Sequence, residues 1–278
     1  MEVQLSVALV TRNRPDSLRR TLSSLSKQVS PYEVLISDDS DNAEAIVENK
    51  RLAERFGCKY MSGPHKGLYA NRNFVAKHCT GTHIRTMDDD HEFPEDHIKT
   101  CLEAIKQDFN VIWTIGEYIP TEINMDQPAP IPGQLHPRGY SYLPKDMNDY
   151  YGISCGATIY PRKVIDDNIL NFEIFKFGIV YLEYGARLFN KKFVIKPLLS
   201  TFIIHHYDAD NRSVSSMQII SSARIFSMLM LSFYHRRSLR NQFLTVSEIL
   251  KGLFKKEYSF KIVYRAYFFY KKNVGALK

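Results

Sequence analysis

The chain has 278 residues, of which 44% are apolar and 24% are charged, so its composition excludes an intrinsically disordered protein. The net charge of the chain is +7. Residues 231–278 contain 11 Lys and Arg but only two acids, so their net charge is +9 and that of residues 1–230 is −2. This distribution argues against a generic nucleic-acid binder with a basic body.

Short apolar runs alternate with helical patterns over the first 115 residues. The predicted elements, in chain order, are a strand at residues 3–10, a helix from Asp16 or Ser17, a strand at 34–37, a helix at 43–56, a strand at 58–62, a helix at 68–77, a strand at 82–87, a helix at 94–107 and a strand at 110–115. The alternation predicts an α/β domain with a parallel, helix-covered sheet. Ligands bind at the carboxyl ends of strands in such sheets, so we expect residues 11–14, 38–41, 63–66 and 88–90 along one edge.

The pattern changes after this segment. Residues 120–151 contain six of the twelve prolines and several tyrosines, which favours an ordered lid or acceptor-binding loop over a plain linker. Further strands are predicted at 153–160 and 198–204, with a helix at 181–189 between them. The tail is predicted to be helical, so we divide the chain into a domain at residues 1–212 and a helical extension at residues 213–278.

Three consecutive carboxylates, Asp88, Asp89 and Asp90, directly follow a predicted strand. They would repel one another in a dry site unless a divalent cation lay among them, and Mg²⁺ and Mn²⁺ prefer oxygen ligands. Residues i and i+2 of an extended turn point the same way, so Asp88 and Asp90 can share one ion while Asp89 faces elsewhere. We favour this metal site over an acidic surface turn, because Arg72 and Lys66 upstream could neutralise phosphate.

Four segments occur in the same order as in the inverting family 2 glycosyltransferases and resemble them. VALVTRNRPDSLRRTLSSL resembles their first strand and helix, VLISDDSDN their acidic loop, ANRNFVAKHCTGTHIRTMDDDHEF their D-x-D block, and GATIYPRKVI with NFEIFKFGIVYLEYGARL their acceptor-side block. The resemblance covers about residues 3–210. It implies a GT-A, Rossmann-like mixed sheet flanked by helices in an α/β catalytic domain, followed by a basic and aromatic helical extension.

The resemblance implies a nucleotide-binding role for several residues. Asp38 or Asp39 would read the base, Thr11 and Arg14 would form the loop around the nucleotide, and Arg72 would lie near the base or phosphate. The full nucleotide-binding set is Thr11, Arg14, Asp38, Asp39, Arg72 and Asp88.

The resemblance also implies a cofactor, a divalent cation that is either Mn²⁺ or Mg²⁺. Asp88 would contact ribose or the metal ion, and Asp90 would bind the metal ion. Family members often carry a late histidine that completes this site. His205 and His206 are the candidates, since a neutral imidazole is a suitable ligand.

The catalytic base is the point at which the chain departs from the family. The usual base is the Asp of a Glu-Asp pair, and Val180 and Tyr181 occupy those positions. Inverting transfer to a hydroxyl needs a positioned base, and we predict Glu183 for this role. The alternatives are that Glu183 only pairs with Arg187 one helical turn on, or that the acceptor is a lipid phosphate that needs no base.

The implied function is metal-dependent transfer of a hexosyl group, with inversion, from a nucleotide-diphospho-sugar to a glycan or glycolipid acceptor in surface polysaccharide biosynthesis. A UDP-sugar is the favoured donor. A sugar-nucleotidyltransferase is a rival, but it would carry a Gly-rich loop after the first strand, and TRNRPDS has no glycine. The other rival is a degenerate glycan- or partner-binding module that has lost its base.

The tail mixes basic with aromatic residues, which predicts amphipathic helices on an anionic membrane surface. A solvated helical cap is the next interpretation, and nucleic acid is the least favoured partner. The four cysteines form no C-x-x-C pair, the amino terminus lacks a basic signal region, and the longest apolar candidate for a membrane span has ten residues. We therefore expect a cytoplasmic protein, peripheral at the inner face of the membrane.

Overall fold

The computed structural model describes residues 2–124, 126–207 and 217–277. The domain boundary predicted between residues 212 and 213 lies outside them. The strands in the described residues are β1 (Leu5–Thr11), β2 (Glu33–Asp38), β3 (Lys59–Ser62), β4 (His83–Asp88), β5 (His91–Glu92), β6 (Ile112–Tyr118), β7 (Gln134–Leu135), β8 (Ser141–Tyr142), β9 (Thr158–Pro161) and β10 (Ile195–His205).

The helices surround this sheet and form the tail. They are α1 (Pro15–Leu25), α2 (Ala43–Arg55), α3 (Leu68–His78), α4 (His97–Gln107), α5 (Lys163–Asp166), α6 (Val180–Asn190), α7 (Met217–Met230), α8 (Leu239–Phe254) and α9 (Phe260–Leu277). A 3-10 turn covers Met147–Asp149, and a π-helical segment, Leu231–His235, continues α7.

Eight strands form one mixed sheet in the order β3-β2-β1-β4-β9-β6-β10-β5. The first four strands of this order are parallel, whereas β9 pairs antiparallel with both β4 and β6. The mixed GT-A-like sheet is therefore confirmed. The all-parallel sheet expected from the first 115 residues alone is wrong, because a strand from much later in the chain inserts between β4 and β6.

The registers of the parallel strands align their carboxyl ends. Thr11 lies opposite Asp38, which lies opposite Ser62, and Val10 lies opposite Asp88. The chain continues from each of these ends into a loop at the same edge of the sheet. The predicted edge is therefore present, and it brings together residues that are up to 78 positions apart in the sequence, such as Thr11 and Asp89.

Local chemistry explains the first elements. Strand β1 is buried along its whole length, as its continuous apolar run requires of a central parallel strand. Helix α1 begins with Pro15, which is pre-organised for a first helical turn. Its residues Leu18, Leu22 and Leu25 recur at helical spacing and pack into the core beneath the sheet.

Two segments differ from their prediction. The strand predicted at 153–160 is shorter and begins later in the structure, where β9 covers Thr158–Pro161. The residues directly before Thr158 lie beyond the carboxyl edge of the sheet and form no strand. Residues 120–151 contain the β7–β8 hairpin. Tyr150 and Tyr151 are buried and donate hydrogen bonds to backbone carbonyls within the segment, at Pro132 and Leu135. Leu135, Tyr150 and Tyr151 of the segment are also buried in a cluster shared with α6, which anchors the segment to the rest of the protein.

The tail is helical as predicted, and α7 is its centre. Phe226, Met228 and Met230 of α7 are buried in a cluster to which α8 and α9 also contribute. By length and composition the 19-residue helical stretch Met217–His235 could cross a membrane, so the ten-residue limit expected from the sequence is wrong. Of its most apolar 18-residue window, 56% is buried inside the protein. Within the described residues this is a helix of the protein core, with α8 and α9 packed on it.

Candidate active site

A cavity of about 390 Å³ opens at the carboxyl edge of the sheet, within the size range of small-ligand sites. One part of its lining is acidic and another is apolar, the latter from residues 177–181 and from Ile220 of α7. The charged lining residues are Arg12, Arg14, Asp39, Asp88, Asp90, Glu117 and His205. The cavity can thus accept a ligand that has both a charged and an apolar part.

Asp88 is held in place by a buried arginine. One guanidinium nitrogen of Arg72, from α3, donates to both Asp88 oxygens at 2.6 Å, and the other donates to the sulfur of Cys155 at 2.8 Å. Burial opposes the charge of Arg72, but the Asp88 carboxylate outweighs it and raises the arginine pKa. Arg72 does not line the cavity, so it acts there through the position of Asp88.

The backbone approaches Asp88 closely at Gly156. A Cβ atom at this position would lie 2.9 Å from a ring carbon of His91 and closer still to an Asp88 oxygen. Only glycine leaves the room that this approach requires.

The next two carboxylates share one arginine. Asp89 is fully buried, accepts a hydrogen bond from Thr11 Oγ1 at 2.6 Å and forms an ion pair with Arg14. Arg14 also donates to Asp90 Oδ2 at 3.0 Å. Asp90 lines the cavity, whereas Asp89 faces the protein interior.

Three side chains form a group that could hold a metal ion. The ligand atoms of Asp90, His91 and His205 all lie within 4.8 Å of one another. Asp90 Oδ1 is 3.5 Å from His205 Nε2 and 3.8 Å from His91 Nε2. Among the described residues, Asp90 Oδ1 and both ring nitrogens of His91 are buried and have no hydrogen-bond partner. Buried polar atoms rarely lack a partner, so these atoms fit the ligands of a cation.

The charges in this group favour a cation. Burial lowers the pKa of His91 to about 4 despite the nearby carboxylates, so its imidazole is neutral, as a metal ligand must be. Burial also opposes protonation of His205, but Asp90 and Glu117 outweigh it and raise the pKa of His205 to about 10. Burial raises the pKa of Asp90, but His205, His91 and Arg14 hold it below its usual range. Asp90 and Glu117 therefore stabilise a positive charge at His205, which is the imidazole proton or a cation that displaces this proton when it binds.

Glu117 fixes the orientation of His205. His205 Nδ1 lies 3.1 Å from Glu117 Oε2, and Ser154 donates a hydrogen bond to the other Glu117 oxygen. With Nδ1 engaged by the carboxylate, Nε2 is the nitrogen that faces Asp90. Carboxylate–histidine pairs of this kind commonly orient the ligands of metal sites.

Of the two candidate base-reading acids, only Asp39 lines the cavity. Both Asp38 oxygens are occupied: one accepts from the backbone and hydroxyl of Ser40, the other from Asn49 at 3.0 Å and Tyr60 at 2.9 Å. Asp38 therefore shapes the loop after β2, and Asp39 is the carboxylate that this loop presents to a ligand.

His206 is not brought into the metal-binding group. Its Nε2 lies 2.7 Å from Glu92 Oε2. Its backbone nitrogen donates to the Asp90 carbonyl at 2.9 Å, so His206 supports the turn through its main chain. Of the two candidate histidines, the structure places only His205 beside Asp90.

Glu183 is not brought to the cavity either. It is fully buried, with one oxygen 2.7 Å from His235 Nε2 and the other 3.4 Å from Arg187. It cannot reach an acceptor in the cavity from this position, so its assignment as the base loses geometric support. The observed contact with Arg187 is the alternative that the sequence left open. Likewise, no described residue of the 120–151 segment lines the cavity.

Two residues of the site escaped sequence reasoning. His91 follows the D-x-D motif directly, and a metal-ligand search extended by one residue would have included it. Glu117 lies two residues beyond the end of the strand predicted at 110–115. Because β6 continues to Tyr118, Glu117 lies at the carboxyl end of a strand. A longer predicted strand would have included it among the residues expected at the ligand-binding edge of the sheet.

Comparison with known proteins agrees with the fold. The model of the family described as "Glycosyl transferase family 2" matches residues 6–169. An uncharacterized glycosyltransferase of Bacillus subtilis, YwdF, is 31% identical over 106 residues, covering 37% of this chain and 39% of the relative. An undecaprenyl-phosphate 4-deoxy-4-formamido-L-arabinose transferase of Sodalis glossinidius is 26% identical over 37% of this chain and 32% of the relative. The matches thus span less than half of the length of these curated relatives.

Solved structures share the fold at low sequence identity. The S. aureus TarS fragment in complex with UDP has a TM-score of 0.60 and 16% identity, covering 90% of this chain and 71% of that one. GalNAc-T7 with UDP, GalNAc and Mn²⁺ has a TM-score of 0.67 and 14% identity, covering 84% and 48% of the two chains. The similarity therefore extends over 90% and 84% of this chain and concerns its fold.

Proposed function

The chain belongs to glycosyl transferase family 2, and on that premise we propose that it transfers a hexosyl group from a nucleotide-diphospho-sugar, with a UDP-sugar as the favoured donor, by an inverting reaction. The observation that carries the proposal is the group of Asp90, His91 and His205 at the carboxyl edge of the sheet, of which Asp90 and His205 line the cavity of about 390 Å³. The solved relatives that bind UDP support the choice of donor.

We propose that Asp90, His91 and His205 hold a divalent cation, with Asp88 close by. A cation bound there would offset the negative charge that develops on the leaving diphosphate. Two imidazoles beside one carboxylate suit Mn²⁺ better than Mg²⁺, which prefers oxygen ligands throughout. This set of ligands differs from the expected one in two residues: it omits His206, which is paired with Glu92, and it adds His91.

The protein side chains have separate tasks in the donor site. Asp39 is proposed to accept a hydrogen bond from the nucleotide base, and Thr11 and Arg14 to shape the loop beside it. Arg72 holds Asp88 toward the ribose. Glu117 is a positioning residue, because it contacts His205 and directs Nε2 of that imidazole toward Asp90.

The acceptor is proposed to be a glycan or glycolipid of surface polysaccharide biosynthesis. Glu183 lies in a buried contact with His235 and Arg187, so it is not placed to act as a base on an acceptor hydroxyl. This position favours a lipid-phosphate acceptor, which needs no base. Relatives named as undecaprenyl-phosphate transferases support that variant. The remaining alternative, a non-catalytic glycan- or partner-binding module, would bind a donor or a glycan without transfer.

A thermal-shift titration tests the donor site. UDP with Mn²⁺ at 100 times the dissociation constant should stabilise the native state by about 2.7 kcal/mol, which raises the melting temperature by roughly 5–10 °C. UDP with EDTA should give a smaller shift, and slow Mn²⁺-dependent hydrolysis of a UDP-sugar should accompany binding. Binding without hydrolysis or transfer would favour the non-catalytic module, and no binding of any nucleotide diphosphate would refute the proposal.

A further inference from the structure

Helix α8 exposes a continuous apolar stripe. Leu239, Phe243, Val246, Leu250 and Phe254 follow one another at spacings of four, three, four and four residues, which places them on one side of the helix. Phe254 is 90% exposed, Leu239 86% and Phe243 71%. Single exposed apolar residues are ordinary, but a run of five along one helix side is typical of an interaction surface.

The other side of α8 anchors it firmly to the protein. Thr245 donates a hydrogen bond to the Pro137 carbonyl at 2.8 Å and lies 2.7 Å from the Ser232 hydroxyl. Ile249 is buried in the tail core, and the Ser238 side chain caps the amino terminus of the helix. The stripe is therefore presented to solvent by a helix whose packing is already complete.

Basic side chains lie beside the stripe. Arg240, Lys251 and Lys255 are exposed on α8 or directly after it. Among the residues that the structure describes, none of the three has an acidic partner within 4.0 Å. Their charge is therefore available to a partner outside the protein.

Helix α9 has the same combination. Lys261, Arg265 and Lys271 are exposed, and Tyr264 and Phe268 lie between them on the exposed side. Ala266 and Phe269, by contrast, belong to the tail core against α7. Exposed cations and exposed rings thus alternate along both helices.

We propose that α8 and α9 dock onto an anionic lipid bilayer, with the apolar stripe in the interface and the basic side chains at the lipid headgroups. Such helices bind by apolar burial together with attraction to anionic lipid. A duplex or single-stranded nucleic acid would satisfy the basic residues but leave aliphatic side chains such as Leu239 and Leu250 in water. A second copy of the same face would bring like charges together.

This inference goes beyond the proposed transfer reaction, because it concerns where the protein lies rather than what the cavity does. The docking face contains none of the cavity-lining residues. Vesicle binding and nucleotide binding can therefore be measured independently, and one can fail without the other.

Vesicle flotation of the full chain tests the apolar stripe. The chain should float with vesicles of phosphatidylglycerol and phosphatidylcholine, and far less with phosphatidylcholine alone. Phe243→Ser with Phe254→Ser should lower the vesicle partition coefficient at least about tenfold, because two exposed rings no longer enter the interface. The matched control is Tyr32→Ser with Val47→Ser, two exposed residues on the catalytic domain, which should float as the unmodified chain does.

A second pair of variants tests the charge. Lys251→Glu with Lys255→Glu should lower the partition coefficient at least about tenfold at physiological salt, since each basic group near anionic lipid contributes about 1 kcal/mol. Lys27→Glu with Lys77→Glu makes the same change in net charge away from the tail and should have little effect. Added salt should weaken binding of the unmodified chain.

Three results would overturn the inference. The unmodified chain could fail to float with anionic vesicles. The chain with Phe243→Ser and Phe254→Ser could also float as well as the unmodified chain does. Alternatively, the Phe243→Ser and Phe254→Ser chain could lose self-association or nucleic-acid binding while vesicle binding remained unchanged, which would identify a different partner. An unchanged circular-dichroism spectrum and an unchanged melting temperature without ligand show in each case that the variant is folded, whether or not the chain binds UDP.

Discussion

The cavity and the tail helices use charge in opposite ways. In and behind the cavity wall the three consecutive carboxylates are buried or half-buried and paired, Asp88 with Arg72, and Asp89 and Asp90 with Arg14. On α8 and α9 the basic side chains are exposed and, within the described residues, lack acidic partners. Buried paired charges fix geometry, whereas exposed unpaired charges of one sign attract an extended surface.

This difference explains why the net charge of the whole chain does not predict what each region binds. A value of +7 suggests an anionic partner everywhere, yet the cavity is lined by Asp39, Asp88, Asp90 and Glu117. We propose that the cavity binds a cation and, through it, a diphosphate. We propose that the tail binds an anionic surface directly. Variants in the two regions should therefore affect different measurements.

The largest effect is expected for Asp90→Asn. Loss of the carboxylate removes the central ligand of the proposed cation site, so UDP-sugar turnover with Mn²⁺ should fall at least about 100-fold. Asp96→Asn, an exposed acid at the start of α4, is the control and should turn over normally. Vesicle flotation should not change in either variant. Full turnover by a folded Asp90→Asn chain would exclude the proposed site.

A smaller effect on the same region is expected for Glu117→Gln. A residue that orients a metal ligand typically changes cation affinity by about 10–100-fold, so the Mn²⁺ concentration for half-maximal activity should rise by that factor. At saturating Mn²⁺ most of kcat should return. Glu122→Gln, an exposed neighbour in sequence, is the control. If kcat stayed low at saturating Mn²⁺, Glu117 would instead act directly on the acceptor.

Gly156→Ala should have a moderate effect, because the added Cβ forces Asp88 and His91 apart. We expect roughly tenfold weaker binding of UDP with Mn²⁺, measured by calorimetry, from a displacement that costs on the order of 1.4 kcal/mol. Gly275→Ala in α9, where a Cβ would meet nothing within 4 Å, should bind UDP as before. Equal binding by both variants would mean that the close approach at Gly156 has no role in the donor site.

These effects follow from contacts that the sequence could predict only in part. Hydrophobic periodicity predicted where the strands end, and ligands are expected at the carboxyl ends of parallel strands. Together these two local patterns placed Thr11, Asp39 and Asp88 at one edge of the sheet. The insertion of β9 between β4 and β6, and the His205–Glu117 contact, depend on pairing between distant segments that have no local signal. The structure places the Glu183 side chain in a buried contact with His235 instead of in the cavity, because a motif position does not determine which way a helix presents its side chain.

Glu183 is also where the two regions meet, since it lies on α6 and contacts His235 of the segment that continues α7 into the tail. Glu183→Gln leaves a neutral side chain against His235 and Arg187, and we expect the free energy of unfolding to fall by about 1–3 kcal/mol. Turnover per folded molecule should not change, because Glu183 is buried against His235 and Arg187 and does not line the cavity. Chemical denaturation and steady-state kinetics measure the two quantities, with Glu103→Gln on the exposed side of α4 as the control. A large loss of kcat at unchanged stability would restore Glu183 as the base, whereas the expected result makes it a structural contact that holds the docking helices to the catalytic domain.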